Sequence, residues 1–258
     1  MILSTPLLAA LMAPGAALAA DDIAAALRQV SAPTAALAMV DGYPGGTVSA
    51  GFRQQLSTWT RTRLAASAQR HLDAARVQCE TTAKVSFLEA GTFGATEEER
   101  TFEESVFMVE SVYCLDSGTA ADAARHYSST AFRVGVMPFV NSFSLSGNQM
   151  CLSTEAKAGL LKATNFCHEI VRFQGPEMWG SAGWLVSNDP DPSLQPLFFR
   201  ETVVVFVDKP DGGVAGFRGV VTRSRDLGAL QRAVLRTTVS GGHTRIESGL
   251  RDHVNGTD

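Results

Sequence analysis

Apolar residues recur every three to five positions along residues 52–77. This spacing places them on one face of a helix. We therefore predict a helix over 52–77 that packs on the domain following it. The apolar positions are Phe52, Leu56, Trp59, Leu64, Ala68, Leu72 and Ala75.

Arginines fill the other positions of the same helix, with Asp73 as its single acidic residue. Such a row could favour an anionic partner or lipid head groups, but a solvated helix face is the commoner explanation. Both interpretations stay open at this point. The arginines are Arg53, Arg61, Arg63, Arg70 and Arg76.

The apolar period changes to two after Cys79, as expected for strands. Alternating runs at 83–88 and 102–114 flank a polar stretch at 96–100. We predict an antiparallel hairpin that turns within this stretch. Opposed positions in a hairpin sum to a constant, so Cys79 and Cys114 would face each other. They form the first predicted disulfide.

Helices and a strand are predicted in the middle of the chain. Small polar capping residues open a helix over 117–132, and residues 139–152 are predicted as a strand. Ser153 would then open a short helix that ends before Cys167. Because Cys151 and Cys167 closely flank that helix, they form the second predicted disulfide, which should stabilise the fold by about 3 kcal/mol.

The last hundred residues consist mostly of strand and turn patterns. Residues 167–173 alternate weakly, and apolar runs at 197–207 and 214–222 are joined by a Pro- and Gly-containing turn. A second hairpin is predicted between 233–239 and 244–250 across Ser240-Gly241-Gly242-His243. The fold class is therefore α+β, an antiparallel sheet of about six to eight strands packed by two or three helices.

This order of elements resembles the START-like helix-grip fold. The likeness is one of topology, since an early hairpin and a helical stretch precede a run of antiparallel strands. It implies a curved sheet that wraps a helix around an apolar cavity. The closing C-terminal helix of that fold has no predicted counterpart, because residues 251–258 are too few and too polar.

The N-terminus has the pattern of a cleavable signal peptide. Residues 1–12 are uncharged and largely apolar, and Ala17-Leu18-Ala19 is a small-x-small cleavage signature. We predict a signal peptide over 1–19 and export to the periplasm or the extracellular space. Residues 20–50 carry dense Pro and Gly and are predicted as a flexible arm or linker with a short helix over 21–30. Residues 51–258 are predicted as a single α+β domain.

Composition narrows the classes of partner. The net charge is −4, with 22 basic and 26 acidic residues, so no nucleic-acid partner is expected. No later stretch is apolar for long enough to span a membrane after signal cleavage. An even number of cysteines without CxxC spacing favours disulfides over a metal site in an exported chain, and no cofactor is expected.

A glycine-containing segment between two tryptophans is the predicted ligand site. Gly180-Ser181-Ala182-Gly183 does not match the serine-nucleophile motif G-x-S-x-G, because the serine is one place out of step. The segment could be a loop that presents aromatic faces to a ligand, although two packed core tryptophans are the commoner outcome. The candidate binding residues are Trp179, Ser181, Trp184 and Phe139.

No catalytic constellation is evident, so we expect a non-enzymatic protein that binds a small apolar ligand or an envelope partner. One alternative is a hydrolase-like enzyme whose base is His126, His168 or His243. Another is a structural interaction module of an envelope assembly that uses the arginine-rich helix.

Overall fold

The fold was analysed in a computed structural model that describes residues 18–19, 23–30, 32–38, 46–137, 140–155, 163–189, 197–224 and 226–254. The strands are β1 (Leu18–Ala19), β2 (Thr82–Phe87), β3 (Phe107–Leu115), β4 (Val140–Ser146), β5 (Gln149–Thr154), β6 (Asn165–Gly175), β7 (Met178–Asn188), β8 (Phe199–Asp208) and β9 (Val214–Arg223). The helices are α1 (Ile23–Gln29), α2 (Thr34–Ala38), α3 (Ala50–Val77), α4 (Glu97–Glu104), α5 (Ala120–Tyr127), α6 (Thr130–Gly135) and α7 (Ala229–Val254).

Eight strands form one antiparallel sheet in the order β2-β3-β9-β8-β7-β6-β5-β4. The short strand β1 adds to β6 in parallel, with Leu18 opposite Phe173. The predicted α+β class with an antiparallel sheet is confirmed. Cleavage before Ala20 would remove β1, and residues 1–17 of the predicted signal peptide lie outside the described residues.

Both faces of this sheet are covered, and the alternation of side chains along β8 shows how. Val203, Val205 and Val207 belong to the apolar cluster beneath α3. Val204 and Phe206 point the other way, into a cluster shared with α5, α6 and α7. Successive side chains of a strand point to opposite faces, so the apolar run over 203–207 contributes side chains to both apolar clusters.

The predicted helix over 52–77 is confirmed as α3. Ser49 caps it by accepting a hydrogen bond from the Phe52 N–H at 3.0 Å. Within the predicted arm, α1 is a short helix as expected. Ile23 and Leu27 are buried in the same cluster as α3, so the described part of this segment is packed.

Arginines on α3 make contacts within the fold. Arg61 donates to the Val30 carbonyl at 2.8 Å, and Arg70 donates to the Ser67 hydroxyl at 3.0 Å. Arg63 and Arg76 are exposed, as on a solvated helix face.

The early hairpin is confirmed, but its connection differs from the prediction. Residues 96–104, predicted partly as a turn and partly as a strand, form helix α4 and its N-terminal cap instead. Thr96 and Glu99 form a capping box that opens α4, a signature that the strand-like apolar pattern concealed. Strands β2 and β3 pair with Thr82 opposite Val112, and Cys79 and Cys114 are bonded as predicted.

The middle of the chain departs further from the prediction. The helix expected over 117–132 breaks into α5 and α6, because Ser129 caps a new helix by accepting from the Phe132 N–H. The strand expected over 139–152 is the hairpin of β4 and β5, turning at Gly147, whose φ is +58°.

The second disulfide, Cys151–Cys167, is confirmed for a different reason from the one that predicted it. The helix expected to open at Ser153 does not begin there, since Ser153 and Thr154 continue β5; the rest of that predicted helix, residues 156–162, lies outside the described residues. The two cysteines are cross-strand partners on β5 and β6. Their proximity therefore comes from strand register.

The loop predicted around Gly180 is wrong, because residues 178–188 form β7 between β6 and β8. The glycines make room for side chains on the neighbouring strand. A Cβ on Gly180 would overlap the Phe173 ring, and one on Gly183 would lie 3.1 Å from Ile170. These close approaches explain glycine within a strand.

The second C-terminal hairpin is also wrong. Residues 229–254 form one helix, α7, and Gly241 and Gly242 lie in its interior. Glycine weakens a helix by about 1 kcal/mol relative to alanine, which is why the pair resembled a turn. Tertiary packing outweighs this cost, since Ile246 and Leu250 are buried against the sheet and α5.

Helix α7 is the C-terminal helix for which the sequence showed no counterpart. It packs on the face of the sheet opposite α3 and completes a START-like helix-grip arrangement. None of the helices within the described residues combines the length and apolar character needed to cross a bilayer.

Substituting the glycines of α7 tests the helical assignment. A Cβ on Gly241 meets nothing within 4 Å, so we expect Gly241→Ala to stabilise the protein by about 0.5–1 kcal/mol. A Cβ on Gly249 would lie 2.5 Å from Val136 Cγ1, so Gly249→Ala should destabilise it. Denaturant unfolding measures both. A Gly241→Ala variant destabilised by more than about 1 kcal/mol would instead favour a glycine-requiring turn.

A buried carboxyl lies between α3 and the sheet. The Ser57 hydroxyl donates to Glu201 Oε1 at 2.5 Å. Burial raises the pKa of Glu201 to about 8, although the Ser57 hydroxyl and the Arg61 charge act to lower it. The folded protein therefore holds this carboxyl protonated at neutral pH.

This pKa predicts a pH dependence of stability. The carboxyl ionises near its ordinary pKa of 4.5 in the unfolded chain and near 8 in the folded one, so folding takes up a proton between these values. The contribution of Glu201 is complete below pH 4.5 and is lost as pH rises toward 8, with a slope of at most about 1.4 kcal/mol per pH unit. We expect Glu201→Gln to flatten this slope in urea unfolding series. Glu169→Gln, at an exposed position, is the control, and equal slopes in both variants would contradict the prediction.

Candidate functional site

A cavity of about 250 Å³ lies on the α7 face of the sheet. The hairpin of β4 and β5 contributes apolar walls from Phe143, Met150 and Leu152. Strand β6 adds Phe166 and Ile170, and α7 closes the cavity with Gly242 and Ile246. The volume lies just below the range of about 300–1,000 Å³ typical of small-molecule sites.

Strand register brings a row of cavity-lining residues across the sheet. Ser111 on β3 is opposite Arg218 on β9, and Arg218 is opposite Val204 on β8. The row continues through Ser181 on β7 to Arg172 on β6. All five residues line the cavity, so its floor carries two arginines and two hydroxyls.

Four arginines line the cavity in all, whereas no aspartate or glutamate lines it among the described residues. Arg133 is held in place, because its Nε donates to the Tyr127 carbonyl at 2.7 Å and its guanidinium lies 4.1 Å from the Tyr127 ring centroid. Arg200 lies 5.3 Å from the Phe166 ring centroid. The cavity is thus positively charged within an apolar surround.

The environment of these arginines alters their ionisation in opposite directions. Burial and the charge of Arg218 together lower the pKa of Arg200 to about 9. Burial also acts to lower the pKa of Arg218, but the neighbouring phenols of Tyr127 and Tyr113 raise it overall. Both guanidiniums are therefore charged at neutral pH.

Two tyrosines complete the polar wall. Burial raises the pKa of Tyr113, which keeps its phenol protonated. The Tyr113 and Tyr127 hydroxyls are buried beside Arg218, and both residues line the cavity. Each can donate a hydrogen bond into the cavity.

Two of the three candidate histidines also reach the cavity. Burial and the charges of Arg200 and Arg133 lower the pKa of His168 well below its ordinary value. Burial lowers the pKa of His243, whose ring stacks on Tyr113 with centroids 4.9 Å apart. Both are neutral imidazoles at neutral pH. His126 instead stacks on His253 and does not line the cavity.

The predicted binding residues separate onto two faces of the sheet. Trp179 and Ser181 line the cavity. Trp184 is buried in the cluster beneath α3, on the opposite face, because it is an odd number of positions away along β7. Phe139 lies outside the described residues. The tryptophans therefore form no common aromatic surface.

Sequence reasoning missed the arginines that characterise the cavity. A usable signal was present, since Arg200 and Arg218 each interrupt an apolar strand run. In a sheet covered on both faces, a charged residue between apolar neighbours along a strand is expected to be buried. Charged residues are almost never fully buried unless they are paired, so such a position indicates a function. The arginines singled out from the sequence were those of the helix over 52–77, which do not line the cavity.

Comparisons with known proteins bear on this fold. No protein-family model and no curated protein matches the chain. Among solved structures it is similar to human StAR-related lipid transfer protein 5, with 15% identity, a TM-score of 0.48, and coverage of 78% of this chain and 98% of that one. A START superfamily protein from Mycobacterium smegmatis shares 11% identity, with a TM-score of 0.42 and coverage of 58% and 99%.

The chain is also similar to a protein from Thermus thermophilus, with 12% identity, a TM-score of 0.43, and coverage of 58% of this chain and 99% of that one. Scores below 0.5 at such identities support no conclusion about ligand or activity. Any conclusion about a ligand rests on the topology and the cavity of this chain itself.

Proposed function

We propose that the protein is a non-enzymatic binder of a small apolar ligand, which it holds in the cavity between the sheet and α7. The observation that carries this proposal is the cavity itself, with an apolar wall from β4, β5 and β6. A closely packed core would fill such a space, because protein interiors are about as dense as organic crystals. An apolar ligand would restore those contacts.

The arrangement also favours binding over exposure of the ligand to water. Phe143 and Met150 are buried, and α7 covers the cavity from the other side. Burying apolar area contributes about 25 cal/mol per Å², so a ligand enclosed on several sides gains most of its transfer free energy.

We further propose that binding takes place outside the cytoplasm. The apolar N-terminal segment with its small-x-small signature supports export, and so do the two disulfides. Cys79–Cys114 joins the segment just before β2 to β3. Cys151–Cys167 joins β5 to β6, which border the cavity. An oxidising compartment would hold both bonds.

Ligand binding should raise the melting temperature of the delipidated protein. A ligand at one hundred times its Kd stabilises the folded state by about 2.7 kcal/mol, or roughly 5–10 °C in a domain of this size. We expect this shift from at least one member of a panel of fatty acids, fatty alcohols and sterols. A flat response to the whole panel would contradict the proposal.

Filling the cavity should abolish that shift. Ser181→Phe places a ring on the cavity floor, so the variant should keep its fold and lose its response to ligand. Ser181→Leu offers a smaller obstruction in case the ring is not accommodated. Ser146→Phe, the same change at an exposed strand position, is the control and should respond as the wild type does.

The compartment is tested on protein taken from its native host. We expect its first residue to be Ala20 and all four cysteines to be oxidised, which intact-mass measurement before and after alkylation determines. Free thiols on a chain that retains residues 1–19 would contradict export.

A further inference from the structure

The charges in the cavity indicate what kind of ligand it takes. Arg200 and Arg218 make no ion pair with any residue that the structure describes. Among the described residues, the Nε of Arg200 is buried without a hydrogen-bond partner, and the groups beside Arg218 include the side chains of Tyr113 and Tyr127. Two cations thus lie in one cavity that no carboxylate of the described residues lines.

These two arginines differ from the other two that line the cavity. Arg133 donates to the Tyr127 carbonyl and is stacked on its ring, and Arg172 donates to the Gly147 carbonyl at 3.3 Å. Those two guanidiniums are engaged by backbone carbonyls. Arg200 and Arg218 retain donors for a bound group, in the fork geometry that suits carboxylates and phosphates.

Further donors surround the same place. Ser111 is opposite Arg218, and Ser181 lies two strands away in the same row. The buried Tyr113 and Tyr127 hydroxyls are close enough to Arg218 to affect its ionisation. Hydroxyls beside guanidiniums can donate to the remaining lone pairs of an anion that has two or more oxygens.

Polarity is distributed unevenly along the cavity. At the β4–β5 hairpin the lining includes the apolar side chains of Phe143, Leu145, Met150 and Leu152, together with Arg133 and Arg172, whose guanidiniums are held by backbone carbonyls. Strands β8, β9 and β3 supply Arg200, Arg218 and hydroxyls. A ligand that matches both ends is an amphiphile with one anionic head. The volume of about 250 Å³ favours a single chain over a lipid with two.

Resting on the binding function proposed above, we propose that Arg200 and Arg218 bind the carboxylate or phosphate head of a single-chain amphiphile whose apolar chain lies along β4 and β5. The head group replaces the missing counter-charge. Charge-assisted hydrogen bonds of this kind strengthen binding roughly 10- to 100-fold over a neutral head of the same chain length.

The test compares four probes of one chain length, decanoate, decyl phosphate, decanol and decylamine, by calorimetric titration of the delipidated full chain. We expect at least one of the two anions to bind about tenfold or more tightly than decanol, and decylamine to bind most weakly. The stronger anion identifies the head-group class. Equal affinity for decanol and both anions would overturn this inference while leaving the proposed binding function standing, whereas no binding by any probe would count against both.

Variants assign the preference to the two residues. Arg200→Gln and Arg218→Gln should each lower anion affinity about tenfold or more and leave decanol affinity unchanged. Arg218→Lys, which keeps the charge, should retain part of the preference. Arg63→Gln, on the exposed face of α3, is the matched control and should bind as the wild type does.

A second measurement separates head-group binding from a structural role. Removing an uncompensated enclosed charge relieves its desolvation, so ligand-free Arg200→Gln should melt at or above the wild-type temperature. If the arginine were needed for the fold, its substitution would lower both the melting temperature and the affinity for all four probes. Variants that melt lower and lose decanol binding equally would therefore overturn the assignment.

Discussion

The rest of the structure depends on one constraint, the covering of both faces of a single antiparallel sheet by helices. Because side chains alternate along each strand, residues of β8 contribute in turn to the core beneath α3 and to the cavity beneath α7. The α3 face holds Trp184 within its apolar cluster. The α7 face keeps a space in which polar and apolar side chains meet.

The two faces also enclose different ionisable groups. Beneath α3, the carboxyls of Glu201 and Glu110 each accept a hydrogen bond from a serine of that helix, Ser57 and Ser67 respectively. Beneath α7 the enclosed charges are arginines, and no acidic residue lines the cavity among those described. Enclosing these arginines carries a desolvation cost, which an anionic ligand would offset.

Local patterns predicted much of the fold. Periodicity gave α3 correctly, and the turn at 208–213 identified the hairpin of β8 and β9. The cysteine spacing identified both disulfides, although Cys151 and Cys167 meet through strand register and not across a helix. The helix and the turn depend on neighbours in the chain, which a single sequence displays.

Features that depend on distant contacts were missed. Gly241 and Gly242 resemble a turn until Ile246 and Leu250 are seen to pack on the sheet. Gly180 and Gly183 resemble a loop until the rings and branched side chains of β6 and β8 occupy the space that a Cβ would need. The site followed the same rule, since Arg200 and Arg218 lie on different strands and line one cavity only because β8 pairs with β9.

A crystal structure of protein isolated from its native host, without delipidation or refolding, tests the proposed binding mode most directly. We expect elongated electron density in the cavity, with its polar end at Arg200 and Arg218 and its apolar end beside Phe143 and Leu152. A cavity that holds only ordered water, or that side chains of α7 fill, would contradict the proposed binding mode.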